Sequence, residues 1–229
     1  MIKKILKIIA VIIALLTIGL AVLYFVNNEN LPEGKNGNNA DALALKMLKS
    51  LNHEAYKNTR YLEWSFRNKH FYKWDKQENI VNVSWDNNRV LLYTNQPEKS
   101  KVFIDNKEVK NKELLKKATD YFNNDSFWLV APFKVFEKGI ERKIVNYKGN
   151  DALMVTYTTG GSTPGDSYLW ILDDSGKPTA YKMWASIIPA GGMKATWSDW
   201  ITTESGVILP TKHELPIGTL SMGNVKAYN

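Results

Sequence analysis

The chain has 229 residues, enough for one good-sized domain with an appendage and cramped for two. It has no cysteine, which excludes disulfides, thiolate catalysis, Cys-ligated metal and a lipid-modified N-terminal cysteine. The net charge of +7 falls to +4 without Lys3, Lys4 and Lys7, and the other lysines alternate with acids, as in "EKSKVFIDNKEVKNKELLKK", so no clustered basic stripe offers itself to nucleic acid.

Residues 8–26 form a run of nineteen residues without a charge, behind a basic flank. A membrane-spanning helix needs about 20 apolar residues at 1.5 Å each, and the basic side stays in the cytoplasm. A cleavable signal peptide is the rival reading. Its apolar region usually spans only about 7–15 residues and ends in small residues, whereas Gly19-Leu20-Ala21 lies inside this run and Tyr24, Phe25 and Val26 close it. Residues 1–27 are therefore expected to anchor the chain as an N-terminal transmembrane helix. On either reading the body is extracytoplasmic, in the cell envelope (periplasmic).

The next stretch, residues 28–40, is rich in Asn and Gly with one Pro and reads as a flexible tether. From Asp41 to the end, 41–229, a single domain is expected. Leu43, Met47, Leu51 and Ala55, with Ala44 and Leu48 beside them, give the apolar stripe of an amphipathic helix with Asp41 at its start. Strands follow. Leu62, Trp64 and Phe66 share one face of the first, Val81, Val83 and Trp85 alternate in another, and a turn at Asp86-Asn87-Asn88 leads to Val90 and Leu92. A second helix is expected over residues 112–122, ending at Asn123-Asn124-Asp125, before the apolar run "SFWLVAPFKVFEKG". The remainder reads as strands separated by turns such as Asp174-Ser175-Gly176-Lys177-Pro178, where Gly176 needs positive φ. Roughly ten strands and two helices predict an α+β fold. Its curved antiparallel sheet, an unclosed barrel, carries the helices on its concave face.

Catalytic patterns are weak. His53, His70 and His213 are far apart in sequence, so no metal site is expected. "TTGGSTPGDSY" offers Ser162 and Asp166 without a G-x-S-x-G elbow and suits a hairpin loop, and Asp173-Asp174 is turn chemistry rather than a calcium loop. No cofactor and no enzymatic activity are expected. The aromatics are the informative feature: 12% of the chain, with a Trp on nearly every strand. Apolar concave pockets are lined by such residues. The candidate ligand-binding set is Trp64, Phe66, Trp74, Trp85, Trp128, Phe133, Trp170, Met183 and Trp197. Alternation sends Met183 and Trp197 to the concave side and Lys182 to water, and leaves Trp184 and Trp200 to pair across strands on the convex side.

The segment "DSYLWILDDSGKPTAYKMWA", followed by Trp197-Ser198-Asp199-Trp200 and the return Gly206-Val207-Ile208-Leu209-Pro210, resembles the bacterial periplasmic lipoprotein-carrier (LolA/LolB-like) superfamily. The resemblance implies an unclosed barrel whose concave face, covered by helices acting as a lid, holds acyl chains. The chain departs from the carriers in its expected anchor. The functional expectation is a non-enzymatic extracytoplasmic binding protein for a lipid, acyl chain or other apolar ligand. The alternative is a membrane-tethered interaction or sensor domain with a filled concave face, whose partner is another envelope protein.

Overall fold

The computed structural model describes residues 28–159, 163–188 and 190–229, with Lys4, Ile9, Ile12, Ile13, Leu15, Leu16, Thr17, Gly19 and Tyr24 before them. Most of the apolar run expected to anchor the chain lies outside the described residues, as does Ser162. Among the described residues no helix is long and apolar enough to cross a membrane.

The first helix, α1 (Asn38–Ser50), starts three residues before Asp41. Asp41 caps nothing; from the first turn it accepts a hydrogen bond from Arg142 Nε at 2.6 Å. The stripe expected to continue to Ala55 breaks at Asn52, whose φ of 56° is left-handed, and the chain restarts as a further helix not foreseen in the sequence, α2 (His53–Asn58). Asn tolerates that conformation better than most residues.

Six strands then run as an antiparallel meander: β1 (Tyr61–Phe66), β2 (His70–Asp75), β3 (Ile80–Trp85), β4 (Asn88–Tyr93), β5 (Lys101–Ile104) and β6 (Lys107–Val109). Helix α3 (Lys112–Val130) leads to a second antiparallel sheet. Its strands are β7 (Ile140–Tyr147), β8 (Asn150–Tyr157), β9 (Ser167–Leu172), β10 (Pro178–Trp184) and β11 (Met193–Thr196). The short ribbons β12 (Ile201–Thr202) with β13 (Ile208–Leu209) and β14 (Lys212–Leu215) with β15 (Gly218–Ser221) follow, and β16 (Lys226–Tyr228) returns to pair with β1.

The fold is thus α+β with large, unclosed antiparallel sheets and few helices. Twelve of the sixteen described strands form two sheets of seven and five rather than one sheet of ten, because α3 occupies the connection between β6 and β7, and the other four form the two ribbons. The C-terminal ribbon joins them: Ser65 and Arg67 donate backbone bonds to the carbonyls of Met222 and Ser221 on one side, and Ser198 donates to Lys212 on the other.

Helix α3 runs through Asn123-Asn124-Asp125 to Val130 instead of ending there. Those polar residues break a helix only when their side chains bond the local backbone. Asp125 is turned inward instead, 1% exposed, where its carboxylate accepts from Tyr72 OH at 2.5 Å and from His70 Nδ1 at 2.7 Å. Ala118, Phe122, Leu129 and Val130 bury the same stripe, so α3 spans the inner side of both sheets. One apolar core results, fed by α1, α3 and the inward faces of both sheets. The outer face of the second sheet carries a separate small cluster of Val145, Ala152, Met154 and Leu169 beside Tyr147 and Trp184.

Candidate ligand-binding face

All nine candidate residues belong to the single core or pack against it, in three groups. On the first sheet Trp64 stacks on Tyr72 with ring centroids 4.6 Å apart, Trp74 meets Phe122 edge-on at 5.3 Å, and Trp85 meets Tyr121 edge-on at 5.5 Å. Phe66, half-buried, stacks near His70 at 6.2 Å. On the second sheet Trp170 and Trp197 lie 4.8 Å apart, with Tyr181 5.1 Å from the first and 5.5 Å from the second. Trp128 of α3 closes over Tyr181 at 5.5 Å, and Met183 is buried on the same face of β10 as Tyr181. Phe133 stands apart, stacked 4.1 Å from Tyr56 just beyond α3. These ring contacts fill the concave side with the protein's own side chains.

Among the described residues, Trp64 Nε1, Trp74 Nε1 and Asn82 Oδ1 on the first sheet are buried without a partner, and so are Trp170 Nε1, Trp197 Nε1, Tyr181 OH and His213 Nε2, which converge in the second group. His213 donates from Nδ1 to the Thr196 carbonyl at 2.9 Å, which leaves Nε2 as an acceptor. Burial pulls the His213 pKa down to about 4, and the carbonyls of Thr196 and Trp128, which favour the charged form, offset only part of this. Burial, helped by Tyr168 and Tyr157, pushes the Tyr181 hydroxyl well above its ordinary value. A patch of three donors and one neutral acceptor, walled by indoles, is apolar in area and polar at a few convergent points. Each unpaired buried group costs about 1–3 kcal/mol.

Helix α3 is tied to the first sheet by polar as well as apolar contacts. Asp125 Oδ1 also accepts from Asn124 Nδ2 at 2.8 Å, and Tyr121 stacks on His70 at 3.8 Å. Burial and then the Asp125 charge push the Tyr72 hydroxyl far above its usual range, so it stays a donor at every physiological pH. Among the described residues no serine or threonine hydroxyl is hydrogen-bonded to His53, His70 or His213, and no metal-binding cluster is present.

No family model and no curated protein matches the chain. In structure it is similar to a DUF1329 family protein from Desulfovibrio piger, at 9% identity over 83% of this chain and 93% of that one, with a TM-score of 0.46. It is also similar to a putative outer membrane lipoprotein-sorting protein domain from Vibrio parahaemolyticus, at 8% identity over 80% of this chain and 93% of that one, with a TM-score of 0.34.

The outer-face pairing expected of Trp184 and Trp200 does not form. Trp184 does lie outside, where its Nε1 donates to the Glu29 carbonyl at 2.7 Å. Trp200 instead stacks on Trp197 at 6.0 Å, because β11 ends at Thr196 and Asp199 takes a left-handed φ of 52° that reverses the chain. Lys182, expected in water, is 7% exposed and ion-paired with Glu29. An open groove of about 560 Å³ borders Trp197 and is lined also by Trp200, Asp173, Lys177, Lys212 and Glu214. It sits at the β9–β10 turn, where Gly176 has a φ of 92°.

Asp125, Tyr72, Tyr181 and Glu29 were missing from the candidate set. Asp125 could have been found, since 118, 122, 125 and 129 continue one helical stripe and place an acid on its buried face.

Proposed function

We propose that the chain is a non-enzymatic, extracytoplasmic protein, held at the membrane by residues 1–27, that binds a lipid or another ligand with an acyl chain. The site is the second-sheet part of the concave face beneath α3. One observation carries this reading: the unpaired Trp170, Trp197 and Tyr181 donors in an aromatic enclosure. An ester or carboxyl head supplies the acceptor oxygens those groups lack, and the indole faces take its chain. Burial of the chain contributes roughly 0.8 kcal/mol per methylene, so about a dozen methylenes give useful affinity without a catalytic group. Because the rings touch one another, α3 must lift from the second sheet for the chain to enter. Titration with a fluorescent fatty acid tests this. Trp197→Ala weakens binding, whereas Trp184→Ala, on the outer face, lowers stability and leaves affinity unchanged. Equal effects of the two on affinity, or none from either, contradict the reading.

A second reading has support in the same ring contacts. If the concave face stays filled, the domain is an interaction or sensor module for another envelope protein, met through an edge strand such as β6. A chain that binds no apolar probe favours it.

A further inference from the structure

The segment expected to be a loose tether makes specific bonds to the second sheet. Asn28 donates its backbone N–H to the Tyr24 carbonyl at 2.8 Å and accepts from Gly191 N on its side chain at 2.8 Å. Glu29 N donates to Gly191 O at 2.9 Å, its carbonyl accepts from Trp184, and its carboxylate is the counter-charge of buried Lys182. Further on, Lys35 and Ile144 exchange backbone bonds of 2.9 and 2.8 Å. Residues 28–35 therefore cross the outer face from the β10–β11 loop to β7. The sequence is built for this crossing. A Cβ on Gly191 would lie 2.4 Å from Trp184 Cδ1 and 2.7 Å from Glu29 O.

Only Asn27 separates the end of the uncharged run at Val26 from the bonded Asn28. Even fully extended, two residues reach only about 7 Å, comparable to the depth of one headgroup layer, so the β10–β11 loop, bonded to Asn28 and Glu29, stands no further than that from the point where the uncharged run ends. Strand register shows what else lies at that end. Ile140 pairs with Tyr157, Thr156 with Ser167, and Ser167 with Trp184, so the turn before β7 and the loops β8–β9 and β10–β11 all leave the second sheet on one side. Strand β14 runs antiparallel beside the chain of β11, with Lys212 opposite Ser198, which carries the β14–β15 turn to the same side. The two most exposed large apolar residues among those described stand there, Ile187 at 71% and Ile217 at 78%, together with Phe136 at 42%.

We propose that this end of the domain is seated on the lipid bilayer that the N-terminal run enters, with Ile187 and Ile217 in the headgroup layer and Phe136 at its margin. The inference rests on the proposed anchor. It gives the domain a fixed orientation: the pinned residues 28–35 lie along its flank, and the β9–β10 turn with its groove points away from the membrane. Three exposed apolar side chains on separate turns are otherwise a liability in water, and an interfacial seat accounts for them together.

The absence of cysteine makes the test direct. Ile187→Cys, Ile217→Cys and, at the opposite end, Asp174→Cys are made in the full chain, labelled with an environment-sensitive NBD dye and reconstituted into phosphatidylethanolamine/phosphatidylglycerol vesicles. The dyes on Ile187→Cys and Ile217→Cys shift to the blue, brighten about threefold and are quenched by shallow nitroxide lipids, as for a group buried about 5–10 Å into the interface. The dye on Asp174→Cys stays open to aqueous iodide. If the chain floats with the vesicles while all three dyes remain aqueous, or all three respond alike, the seat is wrong and the anchor stands. If the chain does not float, the anchor reading fails and the seat with it.

Discussion

Removing the Asp125 carboxylate attacks the contact that ties α3 to the first sheet. In Asp125→Ala two donors, the buried Tyr72 OH and the half-buried His70 Nδ1, lose their acceptor, bonded at 2.5 and 2.7 Å in the parent. At about 1–3 kcal/mol for each unpaired group, less the relief of no longer burying a carboxylate, the net loss is about 3 kcal/mol. Asp125→Asn keeps one acceptor oxygen and loses about half as much. With an m-value near 2–3 kcal/mol/M, the urea midpoint of the detergent-solubilised chain falls by about 1 M or more in the alanine variant at unchanged m. The double variant Asp125→Ala/Tyr72→Phe loses less than the sum of the single changes, because it strands one donor fewer. The same change loosens α3, so association of a fluorescent fatty acid speeds up while Trp197→Ala still weakens its equilibrium binding. A midpoint within about 0.3 M of the parent, or strictly additive losses, refutes the tie.

Other consequences are equally specific. Because the folded pKa of His213 is lowered to about 4 from an ordinary 6.5, its neutral form is favoured in the fold, so stability is full above about pH 6.5, falls as pH drops toward 4 and levels off below. The span is roughly 3 kcal/mol, and denaturation series between pH 7 and 4 show a flatter dependence for His213→Gln. Gly191→Val forces Glu29 off the sheet, so amide exchange at residues 28–35 accelerates and stability falls by about 1–3 kcal/mol. Gly176→Val, at a φ of 92° and with Lys46 O only 3.0 Å from the added Cβ, costs at least about 1–2 kcal/mol in a thermal melt.

Much of this architecture is legible in the sequence because one face of each strand is buried. Period-two alternation placed Leu62, Trp64, Val81, Val83, Trp85, Met183 and Trp197 inside, and the glycine turn at 176 fell where positive φ was expected. Legibility failed where tertiary partners override local chemistry. Asn123-Asn124-Asp125 reads as a stop signal until Tyr72 and His70, some fifty residues away, take up the Asp125 carboxylate. Lys182 reads as a solvent-facing residue until Glu29 covers it from outside the domain proper. Trp200 counts as a strand residue only if β11 continues, and the reversal at Asp199 has no marker in a run of polar and aromatic residues. The candidate face shares this limit. The indoles are visible in the sequence, but the convergence of Trp170, Tyr181, Trp197 and His213 depends on how the C-terminal ribbon folds back beside β11.

The central claim is that the aromatic enclosure beneath α3 takes an acyl chain. Native mass spectrometry of the full chain, released from mild detergent with and without added oleate, tests it most directly. The account predicts one bound acyl-chain molecule per chain, carried through purification or acquired on addition of oleate, and weakened in Trp197→Ala but not in Trp184→Ala. A chain that stays bare under both conditions, or binds oleate equally in both variants, contradicts it.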